Sequence, residues 1–271
     1  MYKLIACDLD ETLLDSDHKI PARVRDAITA AGKKGVKFVP ATGRPYGTVT
    51  DVLEKLGLDG RDDEYVISFN GGALTRNSDP EPLRKSELPF EVAERLWRFG
   101  IEHELCIHLY TLDPVYVWNY YDWERVYIEG RMNIVETHEP TLDFLRGTPL
   151  TKILFADTDL DRLRAYEDEL ARAGATEGLD VVYSSNRYLE FNPHGVNKGA
   201  GLAALAELLG IEVADTIAIG DNTNDLAMIR AAGLGCAVAN ASDDAVDAAD
   251  YVCADDNNAG GVAEVIEKFV L

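Results

Sequence analysis

The chain has 271 residues, 46% of them hydrophobic and 27% charged, which supplies core material for one large domain or two modest ones. Its formal net charge of −22 repels nucleic acid and anionic membrane surfaces, and no stretch approaches the ~20 apolar residues of a membrane helix. A phosphate-bearing substrate meets the same field, so a site for one needs local positive charge from a metal, a lysine or helix N-termini.

The first strand is expected over Lys3–Cys7, ending in Asp8-Leu9-Asp10. A helix follows with Pro21 near its first turn and Gly32 near its end. A strand over Val36–Pro40 ends in Ala41-Thr42-Gly43, a helix over Tyr46–Leu56 stops at Gly57, and a strand over Tyr65–Phe69 ends in Asn70-Gly71-Gly72. The proline-rich segment Asp79–Pro89 reads as a domain junction. Beyond it the order is helix (Phe90–Phe99), strands (Cys106–Thr111, Val115–Tyr120), helix (Trp123–Glu129), strand (Lys152–Ala156), helix (Leu160–Ala173) and strands (Val181–Ser184, Tyr188–Phe191). Paired strands with short turns predict an antiparallel sheet with helices on one face. Alternation then resumes: helix Lys198–Leu209, strand Thr216–Ile219, helix Asp225–Ala232, strand Cys236–Ala239, helix Asp243–Ala249, strand Tyr251–Cys253, helix Gly261–Phe269. The expected fold class is α/β, a doubly wound, mostly parallel sheet with an inserted α+β domain. Residues 1–83 and 191–271 form the core and 84–190 the insert.

Cys7, Cys106, Cys236 and Cys253 lack paired spacing and lie in strand-like runs, which argues against a disulfide framework or a zinc site. The start MYKLIACDLDETLL carries an acidic pair inside its apolar run, unlike a signal peptide, so the expected location is cytoplasmic. The five histidines show no metal-ligand spacing, and the run Tyr116, Trp118, Tyr120, Tyr121, Trp123 is read as core packing, with sugar stacking the alternative.

The polar clusters fall at the C-terminal ends of expected parallel strands, the edge along which open α/β sheets bind ligands. Asp8 and Asp10 close one strand; paired carboxylates there suit Mg²⁺, a nucleophile and a general acid/base, or simply cap the turn. Thr42 and Gly43 offer a hydroxyl and bare amides for phosphate, or an ordinary helix N-cap. Arg44 adds charge or pairs with an acid, and Lys198 opposes the dipole of the helix it opens unless a phosphate partners it. Asp221 can join Asp8 and Asp10 at a metal, while Asn224 and Asp225 can contact substrate, hold Lys198 or cap a helix.

Asp8-Leu9-Asp10-Glu11-Thr12-Leu13-Leu14, Ala41-Thr42-Gly43-Arg44, Asn197-Lys198-Gly199 and Gly220-Asp221-Asn222-Thr223-Asn224-Asp225 resemble, in order, the four motifs of the haloacid dehalogenase-like phosphatases. The spacing is similar to the Cof-type sugar-phosphatase branch with its class IIB cap, and Asn70-Gly71-Gly72 and Ala239-Asn240-Ala241 resemble that branch too. The motifs cover both ends of the chain; the insert is similar in layout only. The resemblance implies that Asp8 is the nucleophile and a metal ligand, and that Asp10 is the general acid/base and gives its backbone carbonyl to Mg²⁺. It further implies that Leu9, Thr42, Gly43, Lys198 and Asn224 bind phosphate or substrate, that Asp221 ligates the metal, and that Asp225, Arg44 and Asn70 support them. Gly72 stands where alanine is more usual.

The expected reaction is two-step hydrolysis of a small phosphorylated metabolite, most simply a sugar phosphate, through an aspartyl-phosphate on Asp8, with the insert as a lid that selects the leaving group. A phosphomutase or phosphotransferase on the same scaffold, and an idle sugar-phosphate sensor, are the rival readings. A signalling receiver module is far shorter and lacks an insert.

Overall fold

The computed structural model describes residues 1–130 and 132–271. It divides into two compact units, one formed by Met1–Arg84 with Asn197–Leu271 and the other by Lys85–Val196.

The discontinuous unit is built on a five-stranded parallel sheet. Its strands are β1 (Leu4–Cys7), β2 (Lys37–Pro40), β12 (Thr216–Gly220), β13 (Leu234–Ala237) and β14 (Tyr251–Val252), in the order β14-β13-β12-β1-β2. The registers Ile5↔Ile217 and Ile5↔Phe38 place β1 between β12 and β2. Alternate residues of β1 feed two cores. Ile5 and Cys7 join Phe38, Ile217 and Ile219 under α1 (Ala22–Lys33), α2 (Thr50–Leu56) and α9 (Gly261–Phe269). Leu4 and Ala6 join Val39 and Ala218 under α6 (Lys198–Leu209) and α7 (Leu226–Ala231). Burial on both faces is why these strands read as unbroken apolar runs rather than alternating ones. A further helix of this unit, α8 (Asp243–Ala248), follows β13. A single parallel bridge, Ala41↔Ile67, joins the sheet to β3 (Tyr65–Ser68), which leads an antiparallel meander through β4 (Ala73–Arg76) to β5 (Asp79–Lys85).

The inserted unit has a six-stranded sheet: β6 (Cys106–Thr111), β7 (Val115–Trp118), β8 (Ile134–Glu136), β9 (Leu150–Ala156), β10 (Leu179–Ser184) and β11 (Tyr188–Pro193), in the order β10-β11-β9-β6-β7-β8. All pairs are antiparallel except β7 with β8. Ile107, Leu109, Ile153, Phe155, Leu189 and Phe191 point to the face packed by α3 (Phe90–Glu102) and α5 (Leu160–Arg172). The alternate positions mix apolar residues with His108, Tyr110, Lys152 and Glu190, and there the buried Lys152 and Glu190 pair at 2.5 Å. A further helix, α4 (Asp122–Ile128), carries the buried Glu124, which accepts the Tyr188 hydroxyl at 2.6 Å. Burial holds His108 neutral, its pKa lowered to about 3. The aromatic run packs as expected in part, with Trp118 edge-on to Trp97.

Several boundaries differ from the sequence expectation. The insert extends to Val196 rather than residue 190, because β11 continues to Pro193 between β9 and β10 and belongs to that sheet. The expected junction Asp79–Pro89 begins as a strand, β5, before the units part at Arg84. The expected helix Tyr46–Leu56 is a short 3₁₀ turn, Tyr46–Thr48, followed by α2. The expected helix Asp225–Ala232 likewise opens as a 3₁₀ turn, Thr223–Asp225, before α7. Among the described residues no helix is long and apolar enough to cross a membrane, and all four cysteines are buried and free.

Candidate active site

Asp8, Thr42, Asn70 and Asp221 each stand just past the end of β1, β2, β3 or β12, so the parallel sheet gathers them at its C-terminal edge. Asp8 leaves β1 in an extended conformation and is 7% exposed. A wide turn follows, closed by the Leu14 N–H on the Leu9 carbonyl at 2.9 Å. Inside it Glu11 takes φ +61°, which swings the chain back beneath the sheet edge. The Leu9 side chain is sealed in the core, so any phosphate contact of this residue runs through its backbone.

Lys198 explains its place at the head of α6. Asn197 caps that helix by accepting the Ala200 N–H at 2.9 Å. The Lys198 side chain is wholly buried and donates to Asp8 and, at 2.6 Å, to Asp225. Two carboxylates thus offset what the helix dipole costs a cation at this end. Asp225 is equally buried, and its second oxygen accepts the N–H groups of Asp221 (3.0 Å) and Asn222 (3.1 Å), tying the β12–α7 connection into a capping box. Asp221, 5% exposed, accepts the Thr12 hydroxyl at 2.7 Å.

Ligand oxygens of Asp8, Asp221 and Asp225 lie within 4.8 Å of one another. Against these three buried carboxylates stands, among the described residues, one buried cation, Lys198. Burial pushes the Asp8 carboxyl well up, with Lys198 opposing and the neighbouring acids assisting. Burial, then repulsion from Asp225, pushes Asp221 up to about 7. Burial alone depresses the Lys198 ammonium, but Asp225 and Asp8 outweigh it and the net direction is upward. The cluster is short of positive charge.

A second group lies at the ends of β2 and β3. Thr42 is 1% exposed, and its hydroxyl accepts the Arg44 N–H at 3.1 Å. Gly43 packs tightly here: a Cβ would sit 3.1 Å from the Asn70 side-chain oxygen. Asn70, at φ +55°, donates its N–H to the Thr42 carbonyl at 2.9 Å, and its side chain accepts from Asn224 at 3.3 Å. Arg44 grips Asp10 with its fork, Nε to Oδ2 at 2.8 Å and Nη2 to Oδ1.

The sequence-derived residues therefore separate into two groups. Asp8, Asp221, Asp225 and Lys198 form the buried charged cluster. Thr42, Gly43, Arg44, Asn70 and Asn224 are linked through Asn70 and Thr42, and Asp10 joins them through Arg44. The acidic triple contains Asp225, whereas the Asp10 carboxylate is turned to Arg44. Sequence reasoning missed Thr12, the one polar residue among Leu9, Leu13 and Leu14 on the buried side of the turn, which is the signal that could have found it.

The model of the haloacid dehalogenase-like hydrolases matches residues 5–266. YxeH of Bacillus subtilis, which bears a provisional phosphatase name, is 34% identical over all of this chain and 99% of its own length. The 5-amino-6-(5-phospho-D-ribitylamino)uracil phosphatase YcsE of the same organism is 32% identical over 99% of this chain and 96% of its own. A crystal structure of a haloacid dehalogenase-like hydrolase from Bacteroides thetaiotaomicron superposes with a TM-score of 0.84 at 33% identity, covering 99% of each chain. With an acidic strand-end cluster of this kind at its centre, the chain belongs to the haloacid dehalogenase-like hydrolases, and among them to the phosphatases.

Proposed function

We propose that this chain hydrolyses a small phosphorylated metabolite, a sugar phosphate in the first instance, using Mg²⁺ and an aspartyl-phosphate on Asp8. The observation that carries the reading is the Lys198 ammonium seated between Asp8 and Asp225 beside Asp221, all buried at the sheet's C-terminal edge. A structural cluster has no need of a third buried carboxylate, Asp221, beside a lysine that Asp8 and Asp225 already engage, since unpaired buried charge is costly.

The donor set fits Mg²⁺. It is all hard oxygen, it is crowded, and its three carboxylates outnumber the Lys198 ammonium beside them. Asp8 and Asp221 would hold the ion, with the Asp10 backbone carbonyl as the third protein ligand proposed. Asp225 is committed to Lys198 and two N–H groups, which makes it a support rather than a ligand. When bound, the ion neutralises and orients the phosphoryl oxygens.

The chain's own residues supply the rest. Asp8 is the nucleophile, and Lys198 shares its charge between Asp8 and the incoming phosphoryl group. The Thr42 hydroxyl and the Gly43 amide accommodate the remaining phosphoryl oxygens. Asp10, released from Arg44, protonates the leaving oxygen and then takes a proton from the water that opens the aspartyl-phosphate. The relative named for a ribitylamino-uracil phosphate supports a small, polar, phosphorylated substrate class. Four buried free thiols support a reducing, cytoplasmic setting, and the net charge of −22 supports a partner that is neither nucleic acid nor membrane.

The test is phosphate release from an aryl phosphate and a sugar phosphate, with Mg²⁺ or chelator, by wild type and Asp8→Asn. Release that needs both the metal and Asp8, without any acceptor sugar, is expected. Release that survives Asp8→Asn removes Asp8 as nucleophile.

A further inference from the structure

The turn that carries Asp10 contains no glycine, yet Glu11 inside it sits at φ +61°, ψ 8°. A non-glycine residue in that region is held there by its surroundings, and such positions mark functional turns. What holds this one is a run of asparagine side chains from two distant loops. Asn240, just after β13, donates its side-chain N–H to the Glu11 carbonyl at 2.8 Å. Its side-chain oxygen accepts the Asn257 N–H at 2.9 Å. Asn257, 4% exposed, donates to the Leu14 carbonyl at 2.8 Å. Asn258 donates to Asn257 at 3.1 Å and accepts the Ser16 N–H at 3.0 Å. The backbone from Glu11 to Ser16 is thus pinned at three points. The Asn240 loop also reaches the acidic cluster, because the Ser242 N–H donates to the Asp221 carbonyl at 2.8 Å.

We infer that Asn240, seated by Asn257, is a positioning residue that fixes the Glu11 carbonyl and thereby aims the Asp10 carboxyl at the leaving group. The inference rests on the phosphatase reading above. Arg44 holds the tip of Asp10 and gives it up to substrate; the asparagines hold its root and stay. In the step concerned, an Asp8 oxygen bonds to phosphorus, the bond from phosphorus to the ester oxygen breaks, and the Asp10 proton passes to that oxygen. Asp10 recovers a proton from the hydrolytic water. A loosened turn therefore harms the esters that need the proton most. Asn240 is exposed and fills no core space, so its removal leaves the fold standing.

The experiment compares kcat/KM for a simple alkyl phosphate and for 4-nitrophenyl phosphate, whose phenolate leaves without a proton, in wild type, Asn240→Ala and Asn240→Asp. Asn240→Asp keeps the acceptor for Asn257 and loses the donor to Glu11. Both variants are expected to lose roughly 10-fold on the alkyl ester and no more than about 2-fold on the aryl ester, a fraction of what an acid–base group supplies in full. Equal losses on the two esters, or none, overturn the inference while leaving the phosphatase reading intact. A wild type that releases phosphate from neither ester overturns that reading, and the inference with it.

Discussion

Replacing Lys198 with methionine removes the cation that pairs with Asp8 and Asp225 beside Asp221 while keeping most of its volume. Stranding buried carboxylates in this way costs about 3–5 kcal/mol when no proton relieves them. Protonation sets a ceiling on that cost. A carboxyl with an unfolded pKa near 3.9 takes up a proton for about 1.4 kcal/mol per pH unit above it. One proton restores the cluster's net charge, so at pH 5 the loss is capped near 1.5 kcal/mol, whereas at pH 8 the cap lies above the full penalty. The sign follows from the direction of the shift. A carboxyl whose folded pKa is raised contributes stability below its unfolded pKa and loses it as pH climbs through the folded value, and Asp8 is already shifted upward by burial with Lys198 present. Lys198→Met is therefore expected to lower the melting temperature by roughly 6–20 °C at pH 8 and by a few degrees at pH 5, both in chelator. Differential scanning calorimetry at the two pH values decides it. A pH-independent loss, or one under about 1 kcal/mol at pH 8, would mean that the cluster is not the dry, charge-starved site described here.

Thr12→Val removes the hydroxyl that orients Asp221, and support of this kind is worth about 10-fold or more in metal affinity, so Mg²⁺ titration calorimetry should show that loss; unchanged affinity would free Asp221 of its dependence on Thr12. At Gly71 the backbone has φ +95° and a Cβ would fall 2.1 Å from the Asn197 carbonyl oxygen, directly before Lys198. Gly71→Ala should cost about 1–3 kcal/mol and lower activity, while Gly32→Ala in α1, where nothing lies within 4 Å, should be neutral or stabilising by urea denaturation; the reverse order would refute the packing argument.

The parts of the fold that were legible in the sequence are those where a local signal and the tertiary environment agree. The strand β1 reads as an apolar run because both its faces are covered, and α6 reads as a helix from Asn197 to Gly210 because it carries a cap at each end. The strand β5 was not legible. Its sequence, Asp-Pro-Glu-Pro-Leu-Arg-Lys, is mostly exposed and carries two prolines, which only an edge position tolerates, and edge position is a tertiary fact. The parallel pairing of the three-residue β8 to β7 depends on a return path that no local pattern announces. The site divides the same way. Acids and a lysine at strand and helix ends can be picked out one by one. That Thr12 serves Asp221, 209 positions away, or that Arg44 takes the Asp10 carboxylate, are properties of how the ends of β1, β2 and β12 converge.

That convergence bears on how so acidic a chain receives an anion. Lys198 is engaged by Asp8 and Asp225, and Arg44 is engaged by Asp10, so the cations of this site are already matched by acids before a phosphate arrives. A phosphate dianion entering it would add to a surplus of negative charge unless a further cation came first. Inorganic phosphate is therefore expected to bind measurably only in the presence of Mg²⁺. Isothermal titration with and without chelator separates the possibilities, since comparable affinity in both would show that the residues of the site neutralise a phosphate without a metal, and the charge deficit would then have no functional meaning.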